Sequence, residues 1–210
     1  MKKFFILLIL AIVIIIIVYF LFINKKTEPM KTTTNNVIKA TIETAKGNIE
    51  LDLYPDVAPN TVDNFVKLSK SGFYDNTRFH RVVEDFVIQG GDPLSKDPNA
   101  ENVGTGGPGY KFNDEINPKS LGLSDELISQ LEQNGYTFDY NLQSIPHKIG
   151  TISMANSGPN TNGSQFFIVS TQDQPNLNGM YTAFGQVTKG MDIVQSIKQG
   201  DIIKKIIINN

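Results

Sequence analysis

The sequence contains no cysteine. That excludes a disulfide, a thiolate nucleophile, cysteine-ligated zinc and a lipid-modified cysteine behind a leader. It leaves the redox compartment open, because a cysteine-free fold tolerates either. Histidine is nearly as scarce: His80 and His147 are the only two, little material for a metal site. The chemistry, if any, should need neither thiol nor metal. An excess of one charge is missing too. Nineteen basic against 21 acidic side chains leave a net charge of −2, which gives no electrostatic reason to expect nucleic acid as a partner. Arginine is the rarest basic residue. Arg78 and Arg81 are the only two, and both lie in Thr77-Arg78-Phe79-His80-Arg81. Where lysine fills nearly every solvated basic position, a retained arginine is a candidate for a task that needs its planar, permanently charged fork. Pairing with a carboxylate is the plainer alternative for either one.

The 210 residues suit one membrane segment and one domain of ordinary size. Met1-Lys2-Lys3 precedes an unbroken apolar run over residues 4–23, closed by Asn24-Lys25-Lys26. At about 1.5 Å rise per residue such a run crosses a hydrocarbon core of about 30 Å. It is too long for a secretory leader and lacks a small-residue cleavage motif. Residues 1–23 therefore read as an uncleaved signal anchor, with the domain expected on the extracytoplasmic side. Residues 24–36 are polar and aperiodic, and read as a flexible tether.

From Val37 the pattern alternates. Ile38, Ala40 and Ile42 share one face, and after Lys46-Gly47-Asn48 so do Ile49, Leu51 and Leu53, the mark of a β-hairpin. Asn60 or Thr61 is placed to cap a helix bearing Val62, Phe65, Val66 and Leu68 that stops near Gly72. Short apolar runs follow at 81–89, 150–154, 165–170, 183–187 and 202–208, with a second helix over 191–199. Many short strands with two helices make the domain at 37–210 mainly β, and suggest a closed barrel with helices over its ends. An insertion at 116–146 interrupts this pattern. Ser124 can cap a helix there, Leu127, Ile128 and Leu131 give it an apolar stripe, and Asn134-Gly135 can end it.

Three stretches are unusual for plain scaffold: Phe79-His80-Arg81 through Phe86-Val87-Ile88-Gln89-Gly90-Gly91-Asp92, Gly104-Thr105-Gly106-Gly107-Pro108-Gly109-Tyr110, and Ser153-Met154-Ala155-Asn156-Ser157-Gly158-Pro159-Asn160-Thr161-Asn162-Gly163-Ser164-Gln165-Phe166-Phe167-Ile168. The glycine-rich loops lack the Gly-Lys-Ser/Thr ending and the strand-to-helix setting of phosphate binders. No Gly-x-Ser-x-Gly elbow presents a serine to either histidine. What remains is an arginine, amides and apolar side chains. Such a set can grip an extended peptide, and is ill suited to breaking bonds.

In these stretches the chain resembles the cyclophilins, the cyclosporin-binding prolyl isomerases. Phe-His-Arg…Phe-x-x-Gln-Gly-Gly-Asp and Met-Ala-Asn-x-Gly-Pro-Asn-Thr-Asn-Gly-Ser-Gln-Phe-Phe-Ile carry the resemblance. Gly-Thr-Gly-Gly, Asn113-Asp114-Glu115 and Phe184-Gly185-Gln186-Val187 fall in the matching order. The insertion resembles that of some bacterial members. The resemblance implies a closed eight-stranded antiparallel β-barrel capped by two α-helices, with Arg81 as the catalytic residue. It implies a substrate pocket of Phe86, Val87, Gln89, Ala155, Asn156, Ser157, Gln165, Phe167 and Leu177, with Tyr181 at its edge. Proline-containing polypeptides would be the partners, and no cofactor or metal would be needed. Asn176 stands where well-known members carry tryptophan, so weak or no cyclosporin binding is expected. Tyr181 and Val87 replace a usual histidine and methionine. Phe166 and Ile168, alternating with Phe167, read as core, and His80 as a hydrogen-bonded structural histidine. A membrane-tethered holdase using the same groove is the rival from another class.

Overall fold

Alternation sets the first hairpin. β1 (Ile38–Thr44) and β2 (Asn48–Leu53) are antiparallel, with Ala40 opposite Leu51 and Ile42 opposite Ile49. All four side chains are buried. Gly47 turns the chain at φ +140°, and a methyl built there would lie 2.9 Å from Cδ1 of Ile193, so conformation and neighbour both exclude a side chain. These features come from a computed structural model that describes residues 36–209. The expected anchor at 1–23, and the tether as far as residue 35, lie outside the described residues. Among those described, no helix is long and apolar enough to cross a membrane.

Helix α1 (Pro59–Lys70) buries Val62, Phe65 and Leu68 against the sheet. Its start corrects the sequence expectation. Ala58 holds the cap position without a side-chain bond, and Asn60 and Thr61 lie inside the helix. Pro59, whose fixed φ suits a first turn, moves the boundary back. The capping comes from a distance: Glu115 Oε1 accepts from Asn60 N and Nδ2 at 2.9 and 2.8 Å, and Oε2 from Thr61 N and Oγ1 at 2.8 Å each. A carboxylate is well placed there, where unpaired N–H groups and the helix dipole favour negative charge. Below the helix, the Phe65 ring lies 5.3–5.5 Å from those of Tyr74, Phe166 and Phe184. Aromatic pairs of this kind contribute about 0.5–1.5 kcal/mol each beyond their buried area.

The remaining strands are β3 (Thr77–Arg78), β4 (Arg81–Val82), β5 (Val87–Gly90), β6 (Thr151–Met154), β7 (Phe166–Val169), β8 (Ala183–Lys189) and β9 (Ile202–Asn209). They form one sheet in the order β3-β9-β1-β2-β8-β6-β7-β5-β4. The architecture is mainly β, as expected, but the expected closed barrel of eight strands is instead a curled sheet of nine whose ladder is open. The reason lies at Phe79-His80. A single segment, 77–82, supplies both edges: its first half pairs with β9 and its second with β5. Between them Phe79 turns aside to exchange backbone hydrogen bonds with the turn before β9 (Phe79 N to Asp201 O and Gly200 N to Phe79 O, 2.9 Å each). The covalent chain, not a ladder, spans the opening.

Three α-helices are described, one in each of the three stretches where the sequence pattern set one. In the insertion, α2 (Asp125–Gln133) starts at Ser124, whose Oγ accepts from Leu127 N, and Gly135 follows its end at φ +91°. Ile128 and Leu131 are buried, whereas Leu127, expected on the same stripe, is exposed. Helix α3 (Met191–Ser196) stops short of Gln199 because Ile197 is already extended.

Candidate active site

The outer face of the sheet builds the site. Arg81 on β4 is register partner to Gln89 on β5, and Gln89 to Phe167 on β7. One residue along, Val82, Ile88, Ile168 and Ile152 form the next row, and the last three are core. Alternation in β-strands thus separates Phe167 from its buried neighbours Phe166 and Ile168, as expected. The β4–β5 turn, tightened by Asp85 at φ +55°, brings Phe86 beside this row. The guanidinium carbon of Arg81 lies 5.8 Å from the Phe86 ring centroid, a cation–π distance.

A cavity of about 210 Å³ opens here, lined by Arg81, Phe86, Val87, Gln89, Ala155, Asn156, Phe167, Leu177 and Tyr181. Val87, Phe167 and Leu177 are buried in its floor, with Phe86, Ala155 and Tyr181 packed against them. Tyr181 meets Phe167 edge-on at 5.5 Å. Ser157 and Gln165 line a second cavity instead, of about 310 Å³, together with Gly104–Gly107, Tyr110, Thr161 and Gly163. Gln89, Ala155 and Asn156 border both.

Hydrogen bonds hold the polar side of the site in a chain. Arg81 Nη1 donates to Gln89 Oε1 (3.3 Å), Gln89 Nε2 to Gln165 Oε1 (3.0 Å), and Gln165 Nε2 to the carbonyls of Gly104 and Gly106 (2.9 Å each). Asp92 anchors the glycine loop from behind. Fully buried, it accepts from Leu94 N at 2.7 Å, from Gly106 N at 3.1 Å and from Gly104 N. A side chain on Gly106 would run into that carboxylate, so glycine is required there. Asn156 Nδ2 donates to Met180 O at 2.9 Å and so links the two loops flanking the pocket.

His147 was not among the expected site residues. It is 1% exposed and stacks on the back of Phe167 at 5.8 Å. Its backbone N and its Nδ1 both meet Asn178 Oδ1, at 3.0 and 2.9 Å. An amide oxygen only accepts, so Nδ1 carries the proton. Burial lowers its pKa to about 4, and the ring is neutral near pH 7. A lone histidine between a proline and a lysine gives no sequence signal for this role, whereas Asp92 closes a motif already singled out. At His80 neither ring nitrogen has a well-aligned hydrogen bond, but the Arg78 backbone and the Gln165 side chain lie close enough to interact with the ring, and burial lowers its pKa.

Among the described residues, no hydroxyl lining either cavity is hydrogen-bonded to a histidine that could activate it. The site offers an apolar slot the size of a small ring, a cation at its mouth and amides along its rim. Residues 39–209 match the family model described as cyclophilin type peptidyl-prolyl cis-trans isomerase/CLD. Peptidyl-prolyl cis-trans isomerase B of Bacillus subtilis (strain 168) is 42% identical over 158 residues, covering 75% of this chain and 88% of that protein. A peptidyl-prolyl cis-trans isomerase of Helicobacter pylori (strain ATCC 700392 / 26695) is 40% identical over 175 residues, 81% and 86% of the two chains. Among solved structures, a Cryptosporidium parvum cyclophilin type peptidyl-prolyl cis-trans isomerase superposes with a TM-score of 0.63 at 32% identity. It covers 83% of this chain and 99% of its own.

Proposed function

Because the chain belongs to the cyclophilin-type peptidyl-prolyl cis-trans isomerases, and catalyses rotation about proline peptide bonds in polypeptides, we propose that the Phe86–Phe167–Leu177 cavity binds the proline ring and that Arg81 is the catalytic group above it. The observation that carries this reading is the convergence of arginine, amides and apolar wall on one cavity of about 210 Å³.

Rotation about an X–Pro bond meets a barrier of about 18–20 kcal/mol, because twisting destroys amide resonance. In the twisted state the prolyl nitrogen is pyramidal and its lone pair can accept a hydrogen bond. Arg81 donates that bond. One placed donor contributes about 10²–10³-fold at a transition state. Phe86, Val87, Phe167 and Leu177 hold the ring away from water, which favours the less polar twisted amide. Gln89 and Asn156 hold the peptide backbone so that one side of the bond turns against the other. The test is acceleration of cis-to-trans conversion in a proline tetrapeptide by the purified full chain in detergent micelles. Binding of the peptide without acceleration would leave only a holdase.

The setting forms part of the same proposal. Residues 4–23 anchor the chain, and the domain assists folding outside the cytoplasm. Support for the anchor comes from the unbroken apolar run. For the orientation, Lys2, Lys3 and the amino terminus before the run are set against Lys25, Lys26 and Lys31 after it, which leaves a weak charge bias. Protease added to intact cells should digest the domain; digestion only after lysis would reverse the orientation. Cyclosporin binds weakly in this reading, because the exposed Asn176 beside Leu177 offers little apolar area. Nanomolar affinity in a titration would contradict that.

A further inference from the structure

The insertion between Ile116 and His147 is fastened to itself and to both loops that flank the pocket. At its base the Asn117 amide donates to the carbonyls of Tyr140 and Leu142, at 3.1 and 2.7 Å, and Ser144 N donates to Ser120 Oγ at 3.0 Å. A segment closed this way carries force as one body. On one side it meets the loop that bears two pocket walls. Gly179 lies midway between Leu177 and Tyr181 at φ +85°, and a methyl built on it would come 2.8 Å from Cδ1 of both Leu123 and Leu131. On the other side Asn160 Nδ2 donates to Thr137 Oγ1 at 3.2 Å, and a methyl built on Gly135 would contact Pro159 Cγ at 3.7 Å. The Asn156–Met180 bond already ties the two loops to each other. Each pocket loop therefore has the insertion at its back, and neither can retreat from the ring without displacing it.

We propose that the insertion is a brace that fixes the width of the proline pocket, with Leu123 and Leu131 as positioning residues that hold Leu177 and Tyr181 in place through Gly179. Packed interiors transmit small displacements instead of absorbing them. Removing the Leu131 side chain opens space directly behind Gly179, and the loop relaxes into it. Leu177 and Tyr181 remain in the wall and go on excluding water from the twisted amide. What the shift loosens is their contact with the ring, made in ground state and transition state alike, so the loss falls on KM and largely spares kcat. The inference rests on the isomerase reading of this cavity.

The test measures isomerisation of a proline tetrapeptide over a range of concentrations, with full chains in detergent micelles. Leu131→Ala should raise KM by about tenfold, the scale of a pocket contact misplaced by a fraction of an ångström, with kcat nearly unchanged. Leu131→Met should restore KM. Leu127→Ala, at an exposed site on the same helix, should match wild type. If Leu131→Ala does not fold, Leu131→Val is read by the same split. A lower apparent kcat at unchanged KM, the sign of fewer folded molecules, would overturn the brace. So would an unchanged KM in a fully active variant. Wild type that binds the peptide without turning it over would overturn the isomerase reading and the brace together.

Discussion

Arg81 and Phe86 stand 5.8 Å apart, and their substitution should have different consequences. Arg81→Ala should lower kcat/KM by about 10²–10³ while leaving affinity for a proline peptide nearly intact, because its bond strengthens only as the amide twists. Arg81→Lys should already be severe, since an ammonium on a flexible stem does not reproduce the fork. Phe86→Ala should weaken binding and turnover together. Equal loss of rate and affinity in Arg81→Ala, measured by isomerisation and equilibrium titration, would make Arg81 a binding residue only. His147 gives a separate signature. Its folded pKa of about 4 lies below the unfolded value of about 6.5, so the unfolded chain takes up the proton first. The stability it supports is complete above about pH 6.5 and is lost as pH falls towards 4, by about 3 kcal/mol at most. The thermal midpoint should fall across that window, and less steeply in His147→Gln. His80 shifts in the same direction and accounts for a remaining slope. The pocket residues Phe86, Val87, Gln89, Ala155, Asn156 and Phe167 lie in two long motifs of the resemblance, whereas Leu177 and Tyr181 lie outside both and were placed by the resemblance alone. His147 could not be named, because its role depends on a ring stacked behind the pocket and an amide 31 residues away.

At the scale of elements, α1 depends on a residue far along the chain. Glu115 accepts four hydrogen bonds from Asn60 and Thr61, and it is only 7% exposed. Glu115→Ala should destabilise the domain by about 2–3 kcal/mol, because the buried donors of Thr61 lose a charged acceptor. The midpoint of urea unfolding measures this, and a change below about 0.5 kcal/mol would mean that water replaces the carboxylate. The same helix marks where local reading stops. The period of Val62, Phe65 and Leu68 gave its existence and its buried face, whereas its true cap lay 54 residues away and no local pattern encodes it. Strands behaved alike. Those of four or more residues followed from alternation or apolar runs, but the two-residue β3 and β4 carry too few positions for any period, and so the opening at Phe79-His80 was not foreseen. Ser124, a local cap, was legible from its own helix.

Across the whole molecule, β1 and β9 lie side by side although seven strands separate them along the chain, with Lys39 opposite Asn209. The consequence is kinetic. Until β9 forms, β1 has an open edge, and closing that gap means bringing together segments more than 150 residues apart, which slows folding and leaves an edge exposed to other chains. Because the two strands are antiparallel, the end of β9 adjoins the start of β1, and a short hairpin loop could join them. A circular permutant that links residue 209 to residue 38, with new ends in the exposed turn at Lys198–Gly200, would make the domain's most distant pairing its most local. Its refolding after dilution from urea should be faster than that of the native order, at similar equilibrium stability; an unchanged refolding rate would mean that some other pairing sets the pace.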